Sequence, residues 1–271
     1  MARRIKLTLE YDGSAFNGWQ VQSSAPAGEA DSSAARTVQG EVERALRIVT
    51  GQSIRIAGAS RTDTGAHALG QVASFLLPDE VEVPTARLCI ALNAKLDRDV
   101  AARLAQEMPL AFHARRDAVG KVYSYSIISG HCRPALWRRT HWHVRFAVQS
   151  EPMRQAAAAL IGVHDFTSFA SKLALTQAER AEDGKEPVDT VREIRRLELH
   201  EDPDYPGRLV MRIEGSGFLY QMVRTIAGSL VDVGRGYRPP DWLGSALAAQ
   251  DRRAAGPTAP AHGLCLERVL Y

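Results

Sequence analysis

Segments patterned as β-strands alternate with segments patterned as helices along the whole chain, and no other feature restricts the fold as much. "RIKLTLEY" (4–11) puts Ile5, Leu7, Leu9 and Tyr11 on one face, the period of a half-buried strand. Thr37 then offers a helix N-cap, and "VQGEVERALRIVTG" carries Val38, Val42, Ala45, Leu46 and Val49 at helical spacing before Gly51 ends it. "SIRIA" and "QVASFLL" read as strands, "TARLCIALNAKL" after Pro84 as a helix, and "DVAARLA" as a further strand. Beyond residue 108 the order recurs loosely. "KVYSYSII" and "THWHVRF" read as strands and "EPMRQAAAALIG" as a helix. "REIRRLELH" and "RLVMRIEG" read as a hairpin around the turn-prone "EDPDYPG", and "GFLYQMVRTIAGSLVDVG" as an amphipathic helix. Two α/β halves, 1–108 and 109–271, are therefore expected, joined by no sequence-level repeat. The polar stretches 23–36 and 175–189 are expected to be surface loops.

Composition narrows the class of partner. Only five of the 34 basic residues are lysines, and arginine's planar fork suits bidentate phosphate contacts and stacking on bases. A genome rich in G and C would give the same arginine bias. The three cysteines, Cys89, Cys132 and Cys265, are far apart and never form a C-x-x-C pair, so neither a disulfide framework nor a zinc knuckle is indicated. No apolar run approaches the roughly 20 residues of a membrane helix, and "MARRIKLTLEYDG" enters a strand without a signal-peptide core. A cytoplasmic protein with no membrane association is the expectation.

The chemistry concentrates in "SRTDTGAHA" (60–68), where Asp63 sits among Arg61, Thr62, Thr64, Gly65 and His67. Asp63-Thr64-Gly65 could open an aspartic-protease site, but that chemistry needs two aspartates sharing a proton, and the motif occurs once. His141 and His143 would share a strand face, yet two ligands make no metal site, and none is expected. "YDGSAFNGW" and "DVGRGY" match neither glycine-rich phosphate-binding fingerprint, so no nucleotide cofactor is indicated. What remains is one acid in a glycine-bounded polar loop.

Seven segments, in order, resemble the tRNA pseudouridine synthase A family over nearly the whole chain. They are "YDGSAFNGWQVQ" (11–22), "TVQGEVERAL" (37–46), "SRTDTGAHALGQVASF" (60–75), "FHARRDAVGKVYSYSI" (112–127), "GVHDFTSFAS" (162–171), "GSGFLYQMVRTIAGSLVDVG" (215–234) and the terminal "GLCLERVLY". Ser60 stands where a glycine commonly precedes the Arg-Thr-Asp, Ala66 where valine is usual, and Ser216 where asparagine is frequent. The 23–36 segment looks longer than is typical.

The resemblance implies an α+β protein of two ferredoxin-like, RRM-like halves. They would form one continuous, mostly antiparallel sheet with helices on one side and a central active-site cleft. It implies a homodimer that isomerises uridine to pseudouridine at positions 38 to 40 of the tRNA anticodon stem-loop, with no cofactor. In that reaction the N1–C1′ bond breaks and the uracil rejoins through C5, so nothing is oxidised. By the same resemblance Asp63 is the catalytic carboxylate, as nucleophile on sugar or base or as proton acceptor. Arg224 would be its cationic partner, Tyr123 would stack on the base, and Arg61 would fill the space left by the flipped nucleotide. Periodicity alone does not separate Tyr123 from Tyr125. Arg3, Arg4, Arg115, Arg116, Arg138 and Arg139 are candidate phosphate contacts. The alternative is a tRNA-binding protein or RNA chaperone that kept the fold without catalysis.

Overall fold

A computed structural model describes residues 2–21, 35–171 and 189–271, which hold ten strands and five α-helices, an α+β arrangement. The segments 23–36 and 175–189 lie outside the described residues except at Ala35, Arg36 and Asp189. Two compact units emerge: Met1–Val119 with Cys265–Tyr271, and Gly120–Leu264. Among the described residues no helix is long and apolar enough to cross a membrane.

In the first unit, β1 (Arg3–Tyr11) alternates buried and partly exposed residues, with Ile5, Leu7 and Leu9 fully buried. Each such side chain contributes about 1.5–3 kcal/mol of transfer free energy, enough to fix the register of the strand. It runs antiparallel to both β3 (His67–Leu77) and β4 (Val100–Met108), while β10 (Leu264–Leu270) enters parallel to β3 with Cys265 opposite His67. The local order is β4-β1-β3-β10. Helix α1 (Val38–Thr50) begins as the sequence requires: Thr37 Oγ1 accepts the Gly40 N–H at 3.2 Å, and Gly51 closes it at φ 70°. Helix α2 (Thr85–Asn93) follows Pro84 and packs on β4.

"SIRIA" departs from expectation. Ile54 and Ile56 are buried as in a strand, yet only Ala57–Gly58 (β2) pairs with β3. The reason is that α1 side chains satisfy this backbone: Glu43 accepts the Ile56 N–H at 3.1 Å and Gln39 donates to its carbonyl at 3.4 Å. The chain is extended there without a ladder.

In the second unit, β5 (Gly120–Ser129), β9 (Arg208–Gly215), β8 (Val191–Glu201) and β7 (Gly162–Asp165) lie in that order, all antiparallel. β6 is only Trp142–Val144, parallel on β5. Helix α3 (Ser150–Ala158) packs on β8 and on α4 (Met222–Gly234), and α5 (Trp242–Ala248) packs on α3. α4 starts later than its pattern suggests, because Gln221 takes a left-handed φ of 63° just before it. Nor is it amphipathic as expected: every residue from Met222 to Gly234 is buried except Arg224.

Candidate active site

The loop that carries Asp63 leaves β2 and enters β3, and its backbone is fixed by the segment that follows β1. The Asp63 backbone carbonyl accepts the Ala66 N–H at 3.1 Å, closing a turn whose third residue, Gly65, has φ 81°, a value that excludes most side chains. The Gly65 N–H donates to Phe16 O at 3.3 Å, and Trp19 N–H donates to Thr62 O at 3.1 Å. A Cβ on Gly13 would overlap the Ala66 carbonyl oxygen, and one on Gly18 would lie 2.7 Å from Thr62 O. These glycines are therefore demanded by the close approach of two backbones. The motif "YDGSAFNGW" is the clamp on the aspartate loop.

Side chains complete the clamp. Tyr11 and Thr62 share a 2.8 Å hydroxyl–hydroxyl bond in the interior. Gln71, fully buried on β3, donates to Ser60 O at 2.8 Å and accepts from Ser60 N at 3.2 Å. Ser60 thus uses its backbone as a strand partner would, and the glycine usual at that position is not required by this bonding. His67 Nδ1 accepts the Gly13 N–H at 3.1 Å and stands 3.1 Å from Asp12 Oδ1. Asp63 itself is half-buried, Thr62 is buried, and Arg61 is exposed. One carboxylate is thus held on a rigid turn beside an exposed guanidinium.

The remaining predicted residues belong to the second unit. Arg224 sits in the first turn of α4, where the helix dipole disfavours a cation by about 0.3–1 kcal/mol. Its Nε donates to Ala259 O at 2.7 Å, and its own carbonyl accepts the Ala259 N–H at 3.1 Å, so it is held in place against that bias. Tyr123 is buried on β5 opposite Ile213, with the Phe218 ring edge-on at 5.3 Å. Tyr125 takes a different role. Its hydroxyl donates to Pro260 O at 2.7 Å, Trp142 stands edge-on at 6.3 Å, and a Cβ on Gly263 would lie 2.6 Å from the ring. Burial pushes the Tyr125 phenol far above its ordinary range, against a smaller downward pull from Arg224. Tyr125 is a strut, which leaves Tyr123 as the candidate for base contact.

The arginines divide likewise. Arg3 is committed to Thr85 Oγ1 and to the carbonyls of Val81 and Val83, so it is a fold residue rather than a phosphate contact. Arg4 donates to Leu110 O and Arg138 to Ala135 O, while Arg115, Arg116 and Arg139 are exposed. His141 and His143 do not act as a pair: His141 Nε2 accepts from Arg208 at 2.9 Å, and His143 Nε2 lies 2.8 Å from Gly130 O. Sequence reasoning missed Gln71, Phe218 and Ala259. Only Gln71 left a signal, as an amide at a core position of an apolar strand.

A family model described as tRNA pseudouridine synthase matches residues 8–117 and 156–271. Curated relatives of the same character span the chain. A tRNA pseudouridine synthase A of Myxococcus xanthus is 42% identical over 268 residues, covering 99% of this chain and 92% of the relative. One of Bacillus subtilis is 42% identical over 270 residues, 99% of each. One of Moorella thermoacetica is 40% identical over 267 residues, 98% of this chain and 99% of the relative.

Proposed function

Since the chain belongs to the tRNA pseudouridine synthase family, its activity is isomerisation of uridine in tRNA, and we propose that Asp63 is the carboxylate that performs it at positions 38 to 40 of the anticodon stem-loop. The observation that carries the assignment of Asp63 is the clamp: seven residues from β1, the segment after it and β3 fix the backbone around one half-buried acid. Such pre-organisation is what a covalent or proton-abstracting step needs, because a misplacement of about 1 Å can cost about 100-fold in rate. In the reaction the N1–C1′ bond breaks, C5 bonds to C1′, the C5 hydrogen leaves as a proton, and N1 gains one.

Within this reading the other residues take distinct tasks. Arg61, exposed beside Asp63, props the space that the flipped uridine vacates, offsetting an unstacking cost of a few kcal/mol. Tyr123 contacts the free uracil, and Arg224 supplies positive charge to the reaction. Arg115, Arg116 and Arg139, all exposed, are the candidate contacts to RNA phosphates. The working form is a cytoplasmic homodimer in which one tRNA contacts both subunits.

The decisive experiment is tritium release from tRNA labelled at uracil C5. Wild type should release tritium and Asp63→Asn should not, with tRNA affinity kept within a few-fold. Turnover by Asp63→Asn near wild type would remove Asp63 from the mechanism. No release by wild type, despite tight tRNA binding, would leave a non-catalytic binder. Substituting cytidine at positions 38 to 40 should abolish release, and undiminished release would move the target elsewhere.

A further inference from the structure

At the C-terminal end of α4, aromatic rings and guanidinium groups alternate in a row. The Arg235 guanidinium lies 5.2 Å from the Phe146 ring and 4.7 Å from that of Tyr237. The Arg238 guanidinium lies 5.1 Å from Tyr237 and 5.1 Å from Trp242. The backbone builds the row. Gly234 O accepts the Gln149 N–H at 2.8 Å, which seats the Phe146 segment on the helix end. Gly236, at φ 74°, turns the chain so that Asp232 O accepts both the Tyr237 and the Arg238 N–H.

As a stabilising device this row is poor. Tyr237 is 63% exposed and Phe146 36%, and exposed cation–π pairs are the weak ones. Its charge is also unbalanced. Asp232 is paired with Arg235 at 2.8 Å, whereas exposed Arg238 and Arg145 have no carboxylate partner among the described residues. Planar cations interleaved with rings, under excess positive charge, match a ligand that alternates anions with flat faces. Unpaired nucleotides have that chemistry, and an acidic peptide lacks the flat faces.

We propose that Phe146, Arg235, Tyr237, Arg238 and Trp242 form a second binding site for unpaired nucleotides of the tRNA substrate, apart from the nucleotide that is isomerised. Eleven residues of helix place Arg235 about 16 Å from Arg224, so the row engages a different part of the RNA from the part beside Arg224. The proposal rests on tRNA being the substrate.

Two measurements test it. A short oligouridylate carrying 4-thiouridine is photo-cross-linked to the wild-type protein and the modified peptides are mapped. Steady-state tritium release from tRNA is then compared for wild type, Tyr237→Leu and Arg238→Lys, each checked for an unchanged unfolding midpoint. Cross-links should map to Tyr237 and Trp242, and KM should rise about fivefold or more with kcat unchanged. Arg238→Lys keeps the charge but loses the plane, so a KM rise there reads stacking rather than attraction. Cross-links confined to other peptides, KM values within about twofold of wild type, or equal competition by an acidic peptide would each overturn the site. Absence of tritium release by wild type would instead refute the enzymatic reading, and the cross-linking map would still decide whether the row binds nucleotides.

Discussion

Replacing Gln71 by methionine tests whether the aspartate loop is held by a few buried polar contacts. Methionine nearly matches glutamine in length, so no sizeable cavity opens, and the backbone pairing of residue 71 with Leu9 in the β1–β3 ladder is untouched. What disappears is the amide that donates to Ser60 O at 2.8 Å and accepts from Ser60 N at 3.2 Å, with a weaker contact to the Tyr11 hydroxyl at 3.4 Å. Ser60 is buried, so each orphaned backbone group costs about 1–3 kcal/mol. The added thioether surface recovers about 1 kcal/mol of transfer energy, which leaves a net loss of about 1–5 kcal/mol for the two groups. That is a large share of the roughly 5–15 kcal/mol by which domains are stable. Urea titration followed by circular dichroism should show that loss. Tritium release should fall about 10- to 100-fold, because the loop next to Asp63 relaxes. A change below about 0.5 kcal/mol with unaltered kcat would show that Gln71 does not hold the loop.

Gly13→Ala should abolish measurable turnover while leaving the far-ultraviolet spectrum near wild type, since its Cβ would meet a backbone carbonyl that only a loop shift can move; an active variant would refute the clamp. His141 is held neutral, its pKa lowered from 6.5 to about 4 first by burial, then by the charges of Arg208 and His262. Its contribution to stability is therefore complete above about pH 6.5 and is lost as pH falls towards 4, by about 2 kcal/mol between pH 7 and 5. Urea midpoints at the two pH values should show this slope in wild type and a shallower one in His141→Gln, and equal slopes would assign the effect elsewhere. Tyr125→Phe should cost about 1 kcal/mol of stability for the lost bond to Pro260 O yet keep kcat, whereas Tyr123→Leu should lower kcat. The reverse pattern in melting and turnover assays would exchange their roles.

Much of the fold was legible because local patterns and the tertiary environment agreed. β1 alternates as written and buries its apolar set; α1 starts at its N-cap threonine and stops at its glycine. The hairpin of β8 and β9 forms where its turn residues stand. Agreement failed where backbone groups found unexpected partners. Residues 53–56 carry a strand's pattern, but Glu43 and Gln39 intercept the hydrogen bonds that a ladder would use. The 217–221 stretch has helical periodicity, but the left-handed Gln221 delays α4. No pattern in the terminal segment told which strand it would join, and it pairs in parallel with β3.

The sequence by itself determined the family, and with it the reaction, because seven motifs in a fixed order are local facts that survive without coordinates. Tertiary structure decided which of the conspicuous groups serve the fold. It made Tyr125 a strut, committed Arg3 to carbonyls of its own unit, and turned a glycine motif into a clamp. Those assignments depend on which donor meets which acceptor across 51 to 135 residues of chain. Periodicity reports the face a side chain occupies. It carries no information about the partner waiting on that face.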